Sequence, residues 1–333
     1  MNDCKSCAYW EPNHEVPKEQ TEDGKYRCLH PDVAIRTRID FGCAYHLGQN
    51  STEANVPNHT RDGTMVEPNP NPVDGPTEIL IVSHAKDFPW LELALRSIIK
   101  FCKGFQGVTV VVPVKDFREA TDLVMPINWH FNVEPFPEVR GKGMLHHMVK
   151  MAEAELLVPE GTKYVLHSDS DCIFKMLTTP EHYFWNDKPY YLIRSWSSLG
   201  VPDPRHPINR IVSDCGQWKP ATDAQLGWDT EWYTMCMNTA VLPIDFYKSY
   251  RAHVQQAHRK DFEQYMLEGR NEFPQDRMDW TAMGAFAHRF MNERFTWFDV
   301  CNGNPYPTDR KQAYWSHGGI TPEIKSEIEA MLA

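Results

Sequence analysis

Apolar positions along the chain fall into short unbroken runs separated by stretches with helical spacing. Glu78–His84 (EILIVSH) and Gly107–Val114 (GVTVVVPV) have the length and β-branched content of buried strands. Between them, Pro89–Phe101 (PWLELALRSIIKF) carries helical spacing, with Pro where a first helical turn tolerates it. A short helix is expected over Asp116–Leu123, a third strand over His130–Pro135 and a helix over Gly143–Leu157. A further strand, Lys163–His167 (KYVLH), runs into SDSDCIF. This alternation predicts a mostly parallel, helix-covered sheet with its chemistry at the carboxyl ends of the strands. Beyond it, Tyr190–Ser195 reads as a strand and Trp196–Trp232 as a long irregular loop rich in Pro, Gly, Trp and Asp. Helices are expected over Asp245–Glu268 and Thr281–Asn292. Another is expected over Thr321–Leu332, which opens with a Thr cap, Pro at the first helical position and an early Glu.

The front of the chain is built differently. Of nine cysteines, Cys4, Cys7, Cys28 and Cys43 fall within residues 1–47, a stretch of little apolar content. CKSCAYW offers two thiolates two residues apart, and Cys28 and Cys43, near His30 and His46, complete a tetrahedral set. A structural Zn²⁺ would replace the core so small a unit lacks, with an iron–sulfur cluster as the lesser alternative. The remaining five, Cys102, Cys172, Cys215, Cys236 and Cys301, read as ordinary buried thiols. Residues 48–76, rich in Pro, Asn, Asp and Gly, form a linker, which leaves 77–333 as the main domain.

Charge and flanking sequence narrow the class. A formal net charge of −11 argues against broad nonspecific nucleic-acid binding but leaves room for a local basic patch. No apolar run approaches a membrane span, so no membrane partner is expected. MNDCKSCAYWEP shows no basic n-region and no apolar h-region, and a cytoplasmic setting is the expectation.

Asp169-Ser170-Asp171 follows the strand KYVLH directly. Two carboxylates at i and i+2 on the turn leaving a buried strand can converge on one hard cation, Mg²⁺ or Mn²⁺, that keeps open positions for substrate phosphates. An Asx turn closing the strand is the plain alternative. Cys172-Ile173-Phe174, turning back into the core, puts the carboxylates at the active edge of the sheet.

These parts together resemble a known family. The N-terminal stretch resembles a short cysteine module of phage and prophage proteins. Residues 78–320 resemble a GT-A glycosyltransferase of a phage and bacterial group, through ILIVSHAKD, LELALRSIIKF, VRGKG before a helix, YVLHSDSDCIF, DWTAMGAFAHRF and WSHGG. The resemblance implies a Rossmann-like α/β fold and a nucleotide-sugar donor, expected to be UDP-linked. It places Asp169 near the ribose or the ion and makes Asp171 a direct metal ligand. His317 would complete the metal site. Ser83, His84 and Asp87 would receive the base, and Arg140 and Lys142 would contact the donor phosphates or sugar or else stand as plain solvated charges. Asp279 stands where related chains often carry Glu, as a candidate base or donor-sugar contact; it could equally be an N-cap. Lone histidines such as His84 and His146 read first as satisfied structural residues. Of Trp196, Trp218, Trp228 and Trp232, about half should be plain core.

A phosphohydrolase with a strand-terminal Asp-x-Asp would carry it after its first strand, with Thr or Val where Ile173 stands. A nucleotidyltransferase would show a Gly-rich loop after the first strand, and SHAKDFPW is not one. A carbohydrate-binding protein without chemistry is the non-enzymatic alternative. The acceptor suggested by the phage-type module and by Lys25, Arg27, Arg36 and Arg38 is a hydroxymethylated pyrimidine in DNA. A surface glycan or a protein side chain stands beside it.

Overall fold

The structure, a computed structural model, describes Lys18–Gln20, Tyr26–Cys28, 73–124, 130–199, 216–236, 240–270, 276–302, 307, 310–314 and 316–333; for the first two segments and for His317 it describes only the backbone. The expected zinc ligands Cys4, Cys7 and Cys43 and the side chain of Cys28 lie outside the described residues, as does Cys215. Near the N-terminus, β1 (Lys18–Gln20) and β2 (Tyr26–Cys28) pair antiparallel. The larger compact unit comprises residues 57–196 and 218–333.

That unit opens with β3 (Thr77–Val82), α1 (Phe88–Phe101), β4 (Val108–Pro113), α2 (Phe117–Val124), β5 (Phe131–Phe136) and α3 (Gly143–Ala152). It continues through β6 (Tyr164–His167), β7 (Cys172–Phe174), β8 (Phe184–Trp185), β9 (Lys188–Ser195), α4 (Lys219–Leu226), β10 (Trp232–Tyr233) and β11 (Val241–Pro243). It closes with α5 (Phe246–His258), α6 (Phe262–Leu267), α7 (Trp280–Phe290), β12 (Thr296–Asp299), β13 (Lys311–Ala313) and α8 (Pro322–Leu332).

The central sheet runs β11-β6-β3-β4-β5, with β6, β3, β4 and β5 parallel and β11 antiparallel at one edge. In chain order its parallel strands lie 3-2-1-4, the doubly wound arrangement. Residues of β3 alternate between two cores because successive side chains leave opposite faces of a strand. Ile79 and Ile81 pack with Leu91, Leu95 and Ile98 of α1, while Leu80 and Val82 pack with Leu145 and Val149 of α3 and with α5 and α7. Burial on both faces is what made these strands read as unbroken apolar runs.

Several expectations need correction. The helix from Gly143 stops at Ala152, and a separate 3-10 turn covers Ala154–Leu156. The single helix over Asp245–Glu268 is two helices: Arg259 turns left-handed (φ 54°), and Asp261 caps the second by accepting from the Gln264 N–H. Inside the expected loop lies α4, which buries Thr222 and Gln225 as well as Ala221 and Leu226. Cys301 is exposed and Cys236 half-buried, while Cys102 and Cys172 are buried as expected. The Thr321 cap of α8 forms, accepting from the Ile324 N–H. No helix among the described residues is long and apolar enough to cross a membrane.

Candidate active site

The parallel strands β3 and β6 are neighbours from which the chain departs in opposite directions. Their carboxyl ends therefore form the crevice where doubly wound sheets bind ligands. Ser83 and His84 leave β3, and Ser168 through Asp171 leave β6. The two exits are tied together. Ser83 Oγ donates to Ser170 Oγ at 3.2 Å with both residues buried, and the Ser168 N–H donates to the Leu80 carbonyl at 2.9 Å.

The exit from β3 is a tight turn rather than a glycine loop. The Asp87 N–H donates to the His84 carbonyl at 2.8 Å, and His84 Nε2 lies 3.5 Å from Asp87 Oδ2. Buried Asp116, after β4, accepts the Ala85 N–H at 3.1 Å and fixes this turn from the neighbouring strand. His84 Nδ1 is buried and has no hydrogen-bond partner among the described residues.

The exit from β6 carries the two carboxylates. Asp169 and Asp171 are half-buried, and one ligand atom each from Asp169, Asp171 and Cys172 lie within 4.8 Å of one another. Burial pushes the Asp169 carboxyl up to about 6; the Lys311 charge opposes the shift, and those of Asp279 and Asp87 add to it. Burial likewise pushes Asp171 up to about 7, and repulsion from Asp169 adds to it against the bonds from Ser316. Together with Cys172, these two acids form a group that could hold a metal ion. Among the described residues the donor set is hard oxygen with the Cys172 thiol beside it at 4.0 Å from Asp171 Oδ1, a set that suits Mg²⁺ or Mn²⁺ better than a soft ion.

The late segment reaches this turn because β13 pairs antiparallel with β7, setting Ala313 opposite Cys172 and Lys311 opposite Phe174. The Tyr314 N–H then donates to the Asp171 carbonyl, and the Ser316 N–H to Asp171 Oδ2, both at 2.8 Å. His317 is the next residue; its side chain lies outside the described residues. Lys311, only 3% exposed, donates to Ser168 Oγ at 3.1 Å and approaches the His167 carbonyl at 3.4 Å.

Asp279 caps α7, accepting the Trp280 N–H on Oδ1 at 2.6 Å. The next ring, Trp280, meets His167 edge-on at 5.3 Å, which brings this helix start beside the end of β6. Burial raises the Asp279 carboxyl pKa, and the charge of His147 on α3 opposes it. Burial lowers the His147 pKa in turn.

The other expected contacts are placed differently. Lys142 donates from Nζ to the Gly269 carbonyl at 2.8 Å, and Arg140 is exposed in the turn before α3. Among the described residues, no hydrogen bond or ion pair joins either to the carboxylates. His146 is structural, accepting the Val139 N–H on Nε2 at 2.9 Å and stacking on Phe136. Of the four tryptophans, Trp196 is buried and the others half-buried.

Sequence reasoning missed Asp116, His147, His167 and Lys311. The position of His167 at the strand end just before Ser168 was the one available signal. His167 bonds Tyr247 OH at 2.7 Å, and burial holds its pKa down at about 3, so it is a neutral anchor.

No protein-family model matches the chain, and no curated protein matches it in sequence. Among solved structures, mouse xyloside xylosyltransferase 1 in its apo form is 12% identical, with 67% of this chain and 85% of that one covered at a TM-score of 0.37. The inositol-1-phosphate CTP transferase from T. maritima is 9% identical, covering 78% of this chain and 97% of that one at 0.42. The 4-diphosphocytidyl-2C-methyl-D-erythritol synthase from Anaerococcus prevotii is 11% identical, covering 78% and 95% at 0.36. At these scores the likeness is loose, and the chemistry has to be read from the side chains.

Proposed function

We propose that the chain is a metal-dependent glycosyltransferase of the GT-A type, taking a sugar from a nucleotide-sugar donor to an acceptor hydroxyl. The observation that carries this reading is the carboxylate pair Asp169/Asp171 at the β3/β6 crevice, gripped by the late segment through the Ser316–Asp171 bond. A Mg²⁺ or Mn²⁺ held by Asp169 and Asp171, with His317 as a third ligand, would offset the charge that develops on a diphosphate leaving group.

The chain's own groups supply the rest. Ser83, His84 and Asp87, in the turn fixed by Asp116, form the wall that receives the nucleoside. Asp279, its pKa raised by burial, is the group suited to accept a proton from the acceptor hydroxyl. The turn after β3 lacks the glycine-rich loop a nucleotidyltransferase would use on its triphosphate, which favours glycosyl over nucleotidyl transfer. For the acceptor, the basic residues of the N-terminal region favour hydroxymethylated DNA.

The test is release of nucleoside diphosphate from a panel of nucleotide sugars with Mn²⁺, with and without hydroxymethylcytosine DNA. Release that stops with EDTA supports the transferase, and stimulation by the DNA identifies the acceptor. Release of pyrophosphate from a nucleoside triphosphate instead would move the reading to nucleotidyl transfer.

A further inference from the structure

The start of α7 is held by a buried polar network. Gln225, on α4, is fully buried. Its side-chain amide pairs with the backbone of Met278 in both directions: Oε1 accepts the Met278 N–H at 2.8 Å, and Nε2 donates to the Met278 carbonyl at 2.7 Å. A further Nε2 bond goes to Tyr250 OH at 2.6 Å. One turn earlier on α4, Thr222 Oγ1 bonds Thr281 Oγ1 at 2.9 Å. From the other side, Thr234 Oγ1 reaches the carbonyls of Trp280 and Thr281, each at 3.3 Å.

Residues on both sides of Asp279 are thus fixed by side chains from distant parts of the chain, Gln225 lying 53 positions away from Met278. An apolar residue at position 225 would fill the space but leave the buried Met278 N–H and carbonyl without their partner. What the amide adds is a defined height and rotation for the backbone of Met278, through the N–H of one peptide group and the carbonyl of the next, which leads into Asp279. Polar networks satisfied in this way rigidify a core and specify one geometry for it.

We infer that Gln225 is a positioning residue: by pairing with the backbone N–H and carbonyl of Met278 it sets where the Asp279 carboxylate stands in the crevice. The inference rests on the reading of Asp279 as the proton-accepting group.

The test is a double-mutant cycle on nucleoside diphosphate release, with Gln225→Leu made in the wild type and in Asp279→Asn, an Asn being able to keep the helix cap. In the wild-type background kcat falls about 10- to 100-fold, as misplacement by about an ångström does, with donor KM within about twofold. In Asp279→Asn the same change costs no further kcat, while its effect on melting temperature is the same in both backgrounds. Tyr250→Phe, which removes only the outer bond on the Gln225 amide, covers the case in which Gln225→Leu does not fold. It lowers kcat ~3-fold in the wild type and not in Asp279→Asn. Equal fold-losses in both backgrounds would overturn the inference and leave Gln225 a packing residue. Full turnover by Asp279→Asn itself would overturn the reading of Asp279, and this inference with it.

Discussion

Two acidic sites sit at opposite ends of the same strand system, and both have raised carboxyl pKa values. At the amino end of β3, Glu78 is 1% exposed, and burial pushes its carboxyl up to about 7 against the bond it accepts from Thr109 Oγ1 at 2.8 Å. At the carboxyl end of β6, Asp169 and Asp171 reach about 6 and about 7. A shifted acid alone therefore does not mark a site. Glu78 is single, enclosed by the sheet and bonded to one hydroxyl, with its other oxygen buried and unpartnered. The aspartates are paired, half-open to solvent, and lie where two parallel strands part. Desolvation is common to both, and of the two only the second arrangement brings a second carboxylate alongside.

Substitutions separate the two sites. Asp171→Asn has the largest expected effect: metal-dependent donor turnover falls about a thousandfold, measured as nucleoside diphosphate release. Glu78→Gln leaves turnover intact and changes stability instead. The Glu78 pKa is higher folded than unfolded, so its contribution to stability is fully present below about 4.5 and is lost as pH rises through about 7. The loss amounts to about 3 kcal/mol. Thermal melts of the wild type and Glu78→Gln from pH 4 to pH 8 should show a stability difference that changes with pH in this sense, and a pH-independent difference would contradict the assignment. Asp279→Asn lowers kcat about a hundredfold with little change in melting, since Asn still caps α7. Smallest is Gly284→Ala, whose new Cβ would meet Thr234 Oγ1 at 2.2 Å. It destabilises by about 2 kcal/mol and shifts the start of α7, read as a lower melting midpoint with a modest fall in kcat.

The doubly wound half was legible because its strands are covered on both faces, so β3, β4 and β6 announce themselves as apolar runs. The helix α4 was not, since KPATDAQL buries a threonine and a glutamine where the pattern expects apolar residues. Nor was the break at Arg259, where a residue with no turn signature takes a left-handed conformation. At the site, Asp169 and Asp171 stood out by spacing and by the strand before them. Lys311 and Asp116 did not, because each reaches the crevice only through strand pairing or a neighbouring loop, which local sequence does not encode.

The most direct measurement is a Mn²⁺ titration followed by electron paramagnetic resonance, on the wild type and on Asp171→Asn. A cation site at the β3/β6 crevice predicts one bound Mn²⁺ per chain in the wild type and its loss in the variant, with both proteins folded. The same bound Mn²⁺ in both would contradict a metal site on Asp169 and Asp171.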